Sequence, residues 1–162
     1  MKVRLTILWA VAVVGLLFVN YSIYGKEMLI RNGQPILFEL APVDPRSLIQ
    51  GDYMALRYKI GADLESQEDL SVRGKLVITV ADNGVATFVR VDDGTPLAAG
   101  ERVINYYKHG WQMDLGATSY FFQEGTAAAY ANAKYGELRV DEGGTSILIG
   151  LRDENLQPLG QQ

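Results

Sequence analysis

The sequence predicts a mainly β protein with one N-terminal transmembrane helix, followed by a small antiparallel β-sheet or barrel-like domain with one or two short helices. Two observations predict this fold class. An uncharged run fills residues 5–24, and the rest of the chain alternates short apolar segments with Gly, Pro, Asn and Asp residues that favour turns. We therefore expect an anchor over residues 1–26 and a single domain over residues 27–162.

The uncharged run 5–24 has the length of a membrane span. Twenty helical residues at about 1.5 Å each cover about 30 Å, the hydrocarbon thickness of a bilayer. Lys2 and Arg4 precede the run and Glu27 follows it, which predicts a cytoplasmic N-terminus and an extracytoplasmic domain. Aromatic residues suited to the headgroup region lie near both ends of the run: Trp9, Tyr21 and Tyr24. The lipid bilayer is thus the first predicted partner.

A cleaved secretory signal has the same basic start and apolar middle, and it is the alternative to an uncleaved signal anchor. Such a signal needs small residues at the first and third positions before its cleavage site. No Ala-x-Ala spacing follows the apolar run, and cleavage after Gly25 would place Ile23 at the third position. The sequence therefore favours the uncleaved anchor.

Composition excludes several classes of function. The chain has 162 residues, with 15 Lys and Arg, 19 Asp and Glu and a net charge of −4, so no basic surface indicates nucleic acid as a partner. Cysteine is absent, which excludes disulfides, thiolate catalysis and zinc–thiolate sites. The residues after the anchor suffice for one hydrophobic core, and that core must hold the domain together.

The first elements after the apolar run are a continuing helix and two strands. The helix is predicted to continue to Ile30 and to end at Asn32-Gly33, a pair that readily takes positive φ. Residues 36–40 follow as a strand, which the prolines at 42 and 45 end. A half-buried strand is predicted over 52–60, because polarity alternates there. One face carries Met54, Leu56, Tyr58 and Ile60, and the other carries Tyr53, Ala55, Arg57 and Lys59.

The middle of the domain is predicted to hold a hairpin. Residues 61–71 are polar and acidic and are predicted to form a loop or a short helix, with Leu64 and Leu70 as apolar contacts. Strands at 76–80 and 85–91 flank Asp82-Asn83-Gly84, and Asn-Gly between β-branched runs is a strong hairpin signal.

The C-terminal part is predicted to hold further strands and a second hairpin. Strands are expected at 101–107 and 120–122, and the alanine-rich segment 126–133 is expected to form one or two helical turns. Strands at 135–140 and 145–151 flank the Gly143-Gly144 turn. In this hairpin the residues expected to face inward are Leu138, Val140, Ile147, Ile149 and Leu151. Those expected to face outward are Glu137, Arg139 and Arg152.

One motif stands out in the segment Gly51-Asp52-Tyr53-Met54-Ala55-Leu56-Arg57-Tyr58, which spells Gly-Asp-Tyr-x-x-Leu-x-Tyr in full. The chain resembles the bacterial family named after this string, the GDYXXLXY proteins. The resemblance extends to residues 42–46, to Glu124-Gly125 after the Tyr120 segment, to the strand 135–140 and to the anchor. It implies a domain in the periplasm, anchored in the bacterial inner membrane and associated with a multi-pass membrane protein. It implies no activity, because the family is defined by its motif.

The motif residues suggest two roles. Gly51 permits a turn that a side chain would obstruct, and Asp52 can cap that turn or pair with Arg46 or Arg57. Leu56 and Tyr58 share a face and are expected in the core, with the Tyr58 hydroxyl reaching a polar partner. Tyr53 lies on the opposite face. We favour a structural role, a turn that begins a central strand, over a binding role for Asp52 and Tyr53.

The side chains available for chemistry are few. His109 is the one histidine, and neither aspartate-rich turn, at 82–84 or 92–94, has the spacing of an EF-hand loop, so no metal or cofactor is predicted. Ser47 with Lys59 or Lys75 would be needed for a serine–lysine hydrolase like a signal peptidase, but the residues around Ser47 do not match that family. We therefore expect no catalytic residues.

Aromatic residues cluster around the histidine. Tyr107, His109 and Trp111 lie on one expected loop, where they form either part of the core or an interface, since aromatics are enriched at both. The expected function is that of a non-catalytic accessory or interaction subunit of an envelope membrane protein complex. The alternatives are an envelope sensor that binds a small molecule in an aromatic-lined cleft, and the serine–lysine hydrolase.

Overall fold

The computed structural model describes residues 2–41, 53–64, 70–110 and 112–160. The described chain is mainly β, as the sequence predicts. The helices are α1, Lys2–Asn32, and α2, Lys59–Leu64, and a 3₁₀ helix covers Ala127–Tyr130. The strands are β1 Gln34–Glu39, β2 Tyr53–Ala55, β3 Arg73–Val80, β4 Ala86–Val91, β5 Glu101–His109, β6 Gln112–Asp114, β7 Ser119–Phe121, β8 Tyr135–Val140 and β9 Ser146–Arg152.

Helix α1 projects from the β domain. Its segment Thr6–Asn32 is long and apolar enough to cross a membrane, by length and composition. The helix ends where the sequence predicts, and the Gly33 N–H donates to the Leu29 carbonyl at 2.8 Å. The Arg139 guanidinium donates to the Gly33 carbonyl at 3.1 Å, so the end of the helix is tied directly to β8.

One antiparallel sheet continues from the helix, in the order β1-β8-β9. The predicted hairpin at Gly144 is confirmed, with φ of 88° at that residue. The predicted inward set is wrong in part, because the register shifts between Glu137 and Leu138. On the side of the shift nearer the hairpin turn, Leu138 pairs with Leu148. On the other side of the shift, Gly136 pairs with Leu151. Paired residues share a face, so Leu148 and Leu151 reach the core, whereas Ile147 and Ile149 do not.

The predicted outward residues Glu137, Arg139 and Arg152 lie on the face of the sheet away from the core. That face is partly covered by other parts of the chain. Arg152 donates from Nε to the Glu137 carboxylate at 2.7 Å, and Glu137 is only 9% exposed. Arg152 also donates to the Leu156 carbonyl at 2.7 Å, which holds the C-terminal turn over the sheet.

A second antiparallel sheet has the order β4-β3-β5-β6. The predicted Asn83-Gly84 hairpin is confirmed between β3 and β4, with φ of 83° at Gly84. Strand β6 was not predicted, and it pairs with the end of β5 through Tyr107 and Asp114. An isolated parallel bridge from Leu37 to Val85 connects this sheet with β1.

The two sheets curve into a half-barrel that encloses the core. On the side away from the Leu37 bridge, the Ser146 hydroxyl of β9 donates to the Leu115 carbonyl that follows β6. The Asn105 N–H of β5 donates to the Gly144 carbonyl at 2.8 Å. The largest fully buried side chains between the sheets include Tyr58, Phe38, Ile36, Leu56, Leu76, Ile78, Ile104 and Leu115.

The predicted strand over 52–60 is shorter than expected. Within the described residues, only Tyr53–Ala55 forms a strand, and a helix begins at Lys59. Ile60 and Leu64 are four residues apart and both buried, so they share one helix face that packs on the core. Gly61 allows this close approach, since a Cβ there would lie 2.9 Å from the Met113 Cβ. The predicted inward face is nevertheless correct, because Met54, Leu56, Tyr58 and Ile60 are all buried.

Candidate functional site

Some of the described residues of the motif are buried in the core, and one is exposed at the surface. Leu56 and Tyr58 are each 1% exposed, whereas the Tyr53 ring on β2 is 38% exposed. Gly51 and Asp52 lie outside the described residues, as do the predicted Asp52 pairing with Arg46 and the hydrolase candidate Ser47. In the described part of the motif, Leu56 and Tyr58 therefore belong to the core, and Tyr53 is an aromatic residue at the surface.

Tyr58 is buried in the core, and its hydroxyl does not meet the predicted polar partner within the described part of the chain. Its ring meets Phe38 edge to face, with centroids 6.2 Å apart, and packs against Gly136. No hydrogen-bond partner for its hydroxyl is present among the residues that the structure describes. Burial, and secondarily the negative charge of Asp114, raise the pKa of the Tyr58 hydroxyl, so it stays neutral.

Tyr53 and Phe121 form an exposed aromatic pair. They are directly opposite in the β2–β7 register, and their ring centroids lie 5.7 Å apart. Phe121 is 75% exposed, the largest exposed fraction among the apolar side chains outside α1 in the described chain. The neighbours on either side of Phe121 turn inward instead, because Tyr120 and Phe122 both contact the Tyr130 ring. The alternation of a strand thus places one aromatic outward between two inward ones.

The Glu124-Gly125 pair of the family resemblance forms a surface turn just after this aromatic pair. The Thr126 N–H donates to the Gln123 carbonyl at 3.1 Å, and Gly125 has a φ of 81°. That backbone conformation favours glycine at the third position of a turn. Glu124 is exposed and occupies the turn's second position. The pair therefore shapes the loop between β7 and the 3₁₀ helix.

A cleft of about 250 Å³ lies beside the motif. Its apolar wall includes Leu40, Met54 and Leu56, and the 3₁₀ helix contributes Tyr130. Arg57 and Lys134 bring two positive charges to the lining. The volume is slightly below the usual range of about 300–1,000 Å³ for small-molecule sites. Since Lys134 is already paired with Glu39, the cleft is suited to a compact and mainly apolar group.

Glu39 connects two lysines at the edge of this cleft. Lys59 Nζ lies 2.9 Å from one carboxylate oxygen, and Lys134 Nζ lies 3.0 Å from the other. The hydrogen bond from Lys59 and the positive charge of Lys134 lower the pKa of Glu39 despite its partial burial. The hydrogen bond to Glu39 raises the pKa of Lys59. The result is a charged bridge between the end of β1, the start of α2 and the chain before β8.

The second surface that the sequence suggests lies on β5. Tyr107 and His109 are exposed, with ring centroids 5.9 Å apart, and the Arg73 guanidinium lies 4.9 Å from the Tyr107 ring centre. Trp111 lies outside the described residues. The structure therefore brings two of the three predicted interface residues together. They belong to the four-stranded sheet, whereas Tyr53 belongs to the two-stranded one.

Three residues of the site were absent from the sequence prediction: Phe121, Glu39 and Lys134. The only available signal for Phe121 was its central position in a three-residue aromatic strand. Neither Glu39 nor Lys134 carries a local signal, because they meet only after β1 and β8 have paired. Contacts between distant segments are not encoded in local periodicity.

Two properties of the described part of the chain concern metal binding and proton transfer. No group of three or more His, Asp or Glu side chains that could hold a metal occurs there. A lysine that serves as a general base needs a lowered pKa. The pKa of Lys59 is raised instead, by its hydrogen bond to Glu39.

The motif end of the domain lies far along β1 from helix α1. Strand β1 leaves the helix at Gln34, and the antiparallel bridge from Leu40 to Tyr58 joins the motif segment at the other end of β1. Six extended residues at about 3.3 Å each separate the two ends by about 20 Å. The helix and the motif therefore attach at opposite ends of the same strand.

These features define a class: a β-rich half-barrel carried on one N-terminal apolar helix, with a sequence motif at the end away from the helix. A family model described as GDYXXLXY protein matches residues 15–151, which is most of the chain. The chain belongs to this family. Neither a curated protein nor a solved structure matches it.

Proposed function

We propose that this protein is a non-catalytic, membrane-anchored periplasmic domain that acts as an accessory or interaction subunit of an envelope membrane protein complex. Helix α1 holds it in the bacterial inner membrane with the N-terminus in the cytoplasm. The exposed pair Tyr53 and Phe121 contacts the partner, a multi-pass membrane protein. This pair is the observation that carries the proposal.

Membrane attachment is supported by the character of α1. The large apolar side chains of its segment are exposed and not covered by the domain. An uncovered apolar helix of this length is stable in lipid, where its backbone hydrogen bonds are satisfied internally. The basic residues Lys2 and Arg4 support the cytoplasmic position of the N-terminus.

Partner binding is supported by the exposure of Phe121. Aromatic side chains are enriched at interface centres, where burying one ring contributes a large share of the binding energy. Tyr53 supports the Phe121 ring from the neighbouring strand, so the pair presents a preformed surface. Because the motif segment joins the end of β1 away from α1, the proposal requires a partner with a segment outside the bilayer.

The absence of catalysis in the proposal is supported by the protonation state of Lys59, one of the two lysines considered as a general base. The Lys59 ammonium is hydrogen-bonded to Glu39, which favours its charged form. A protonated lysine cannot take the proton of a serine nucleophile.

Affinity purification of the full-length protein in mild detergent tests the proposal. We expect a multi-pass membrane protein to co-elute with the wild type and to be lost with Phe121→Ala. Val89→Ala is the matched control, since Val89 is an exposed apolar residue on β4. Repeated recovery of the protein alone, or equal recovery of the partner by the Phe121→Ala variant, would contradict the proposal.

A second candidate function is that of an envelope sensor, and the cleft beside the motif favours it. The wall formed by Leu40, Met54 and Tyr130 would hold the apolar part of a small ligand, and Lys134, which also pairs with Glu39, would meet a polar group of the ligand. A Lys134→Met variant that loses ligand binding but keeps the membrane partner would support the sensor.

A further inference from the structure

A cleft of about 550 Å³ lies where helix α1 joins the domain. The helix contributes Gly25, Met28 and Leu29 to one wall, and the β8–β9 turn contributes Asp141 and Glu142 to the other. Its volume falls within the usual range of about 300–1,000 Å³ for ligand sites. This cleft is separate from the motif, which lies at the other end of β1.

The cleft begins at the height where the apolar run ends. Gly25 directly follows Tyr24, the last residue of the uncharged run, and Lys26 and Glu27 follow it. The helical residues 25–32 extend about 12 Å further at 1.5 Å each. The headgroup layer on one side of a bilayer is about 5–7 Å thick. The cleft therefore spans the headgroup layer when α1 crosses a membrane.

The charges in the cleft are of both signs. Arg102 supplies one guanidinium, and Asp141 and Glu142 supply two carboxylates. Within the described part of the chain, neither Arg102 nor Glu142 has a side-chain hydrogen bond or ion pair. One Asp141 oxygen accepts from the Thr145 N–H at 2.8 Å. The guanidinium and at least one carboxylate are thus available to a ligand.

We propose that this cleft binds the headgroup of one phosphatidylethanolamine molecule of the surrounding bilayer. Arg102 binds its phosphate, and Glu142 with Asp141 accepts hydrogen bonds from its primary ammonium. The glycerol end lies towards Gly25, where the missing side chain leaves open space. The inference rests on the proposed membrane anchor.

The charge pattern selects this headgroup over two others. Phosphatidylglycerol carries the phosphate without a cation, so the two carboxylates would repel it. Phosphatidylcholine has the same charges, but its quaternary ammonium has no N–H to donate to a carboxylate. A binding preference for the ethanolamine over the choline headgroup therefore measures the contribution of the hydrogen bonds to Glu142 and Asp141.

Native mass spectrometry of the full-length protein tests the proposal. The protein is delipidated in mild detergent and mixed with equal amounts of phosphatidylethanolamine, phosphatidylcholine and phosphatidylglycerol that have identical acyl chains. We expect the ethanolamine adduct to exceed the choline adduct by about two- to fivefold, as for a partly exposed ion pair. Glu142→Gln should reduce the ethanolamine preference, because one of the two carboxylates is lost, and Arg102→Gln should weaken both adducts.

Two matched variants separate the cleft from general effects. Glu154→Gln removes an exposed carboxylate from the turn after β9 and should keep the preference. Gly25→Leu fills the open space in the cleft and should lower the ethanolamine adduct, whereas Gly15→Leu, a helical glycine that does not line the cleft, should not.

Equal adducts of the three lipids on the wild type, or an ethanolamine preference that Glu142→Gln leaves unchanged, would overturn the lipid site. Carbonate extraction distinguishes this failure from failure of the anchor. A protein that remains in the membrane without a lipid preference refutes the lipid site alone. A protein released by carbonate refutes the anchor as well.

Discussion

The rings of Tyr53 and Phe121 lie on opposite strands with their centroids 5.7 Å apart, and the Phe121 ring is 75% exposed. The motif tyrosine thus supports an apolar ring at the surface, although the motif residue Leu56, three residues further on, is in the core. A pair of this kind adds about 0.5–1.5 kcal/mol to stability beyond the area it buries. It leaves most of the Phe121 ring free to contact another protein.

The first prediction concerns the hydroxyl of Tyr58. Because this group is buried without a partner among the described residues, Tyr58→Phe should leave the free energy of unfolding unchanged or raise it by about 1 kcal/mol. Tyr58→Ala should lower it by about 3–5 kcal/mol, because it leaves a cavity against Phe38. Thermal unfolding of the full-length protein in detergent measures both. A Tyr58→Phe variant that is clearly less stable would show that the hydroxyl has a partner.

The second prediction concerns pH and Glu39. Its folded-state pKa is lowered below 4.5, so its contribution is fully present above that value and is lost as pH falls through the folded pKa. At pH 7, Glu39→Gln should lower the melting temperature by about 2–4 °C. As the pH falls through the folded-state pKa of Glu39, the melting temperatures of the variant and the wild type should converge. A difference that persists in acid would show that Glu39 stabilises the fold by other means than its charge.

The third prediction separates the two roles of Asp52. If Asp52 caps a turn, Asp52→Ala should lower the free energy of unfolding by about 0.5–2 kcal/mol, with Asp52→Asn milder. Partner recovery should then follow the amount of folded protein. Melting temperature and partner recovery are measured on both variants. A stable Asp52→Asn protein that no longer recovers the partner would instead establish a binding role.

The fourth prediction concerns topology. A periplasm-active reporter fused after Gln162 should be active, and a cytoplasm-active reporter at the same position should be silent. Changing Lys2 and Arg4 to Glu should weaken this orientation, since basic residues in short flanks direct insertion. Activity of the cytoplasmic reporter in the unmodified chain would reverse the proposed orientation.

The sequence predicts the order of most elements because their signals are local. The Asn83-Gly84 turn and the alternating runs on each side specify β3 and β4 without any distant contact. The family and its motif are likewise readable from residues 51–58. The mainly β fold class behind one apolar helix follows from these signals.

What the sequence does not predict depends on contacts between distant segments. The inward side of β9 changes at a register shift opposite Glu137, which no alternation pattern in β9 reveals. Ile60 fits both a strand face and, with Leu64, a helix face, and packing against β6 selects the helix. The Glu39 bridge likewise requires three separate elements to meet.

Photocrosslinking from position 121 in living cells tests the central claim most directly. A photoreactive phenylalanine analogue in place of Phe121 should crosslink to one multi-pass membrane protein, and Tyr53→Ala should reduce the yield. The same analogue in place of Val89 serves as the control for an exposed residue on another sheet. The account predicts a crosslink from position 121 and none from position 89. No crosslink from position 121, or the same crosslinks from both positions, would contradict it.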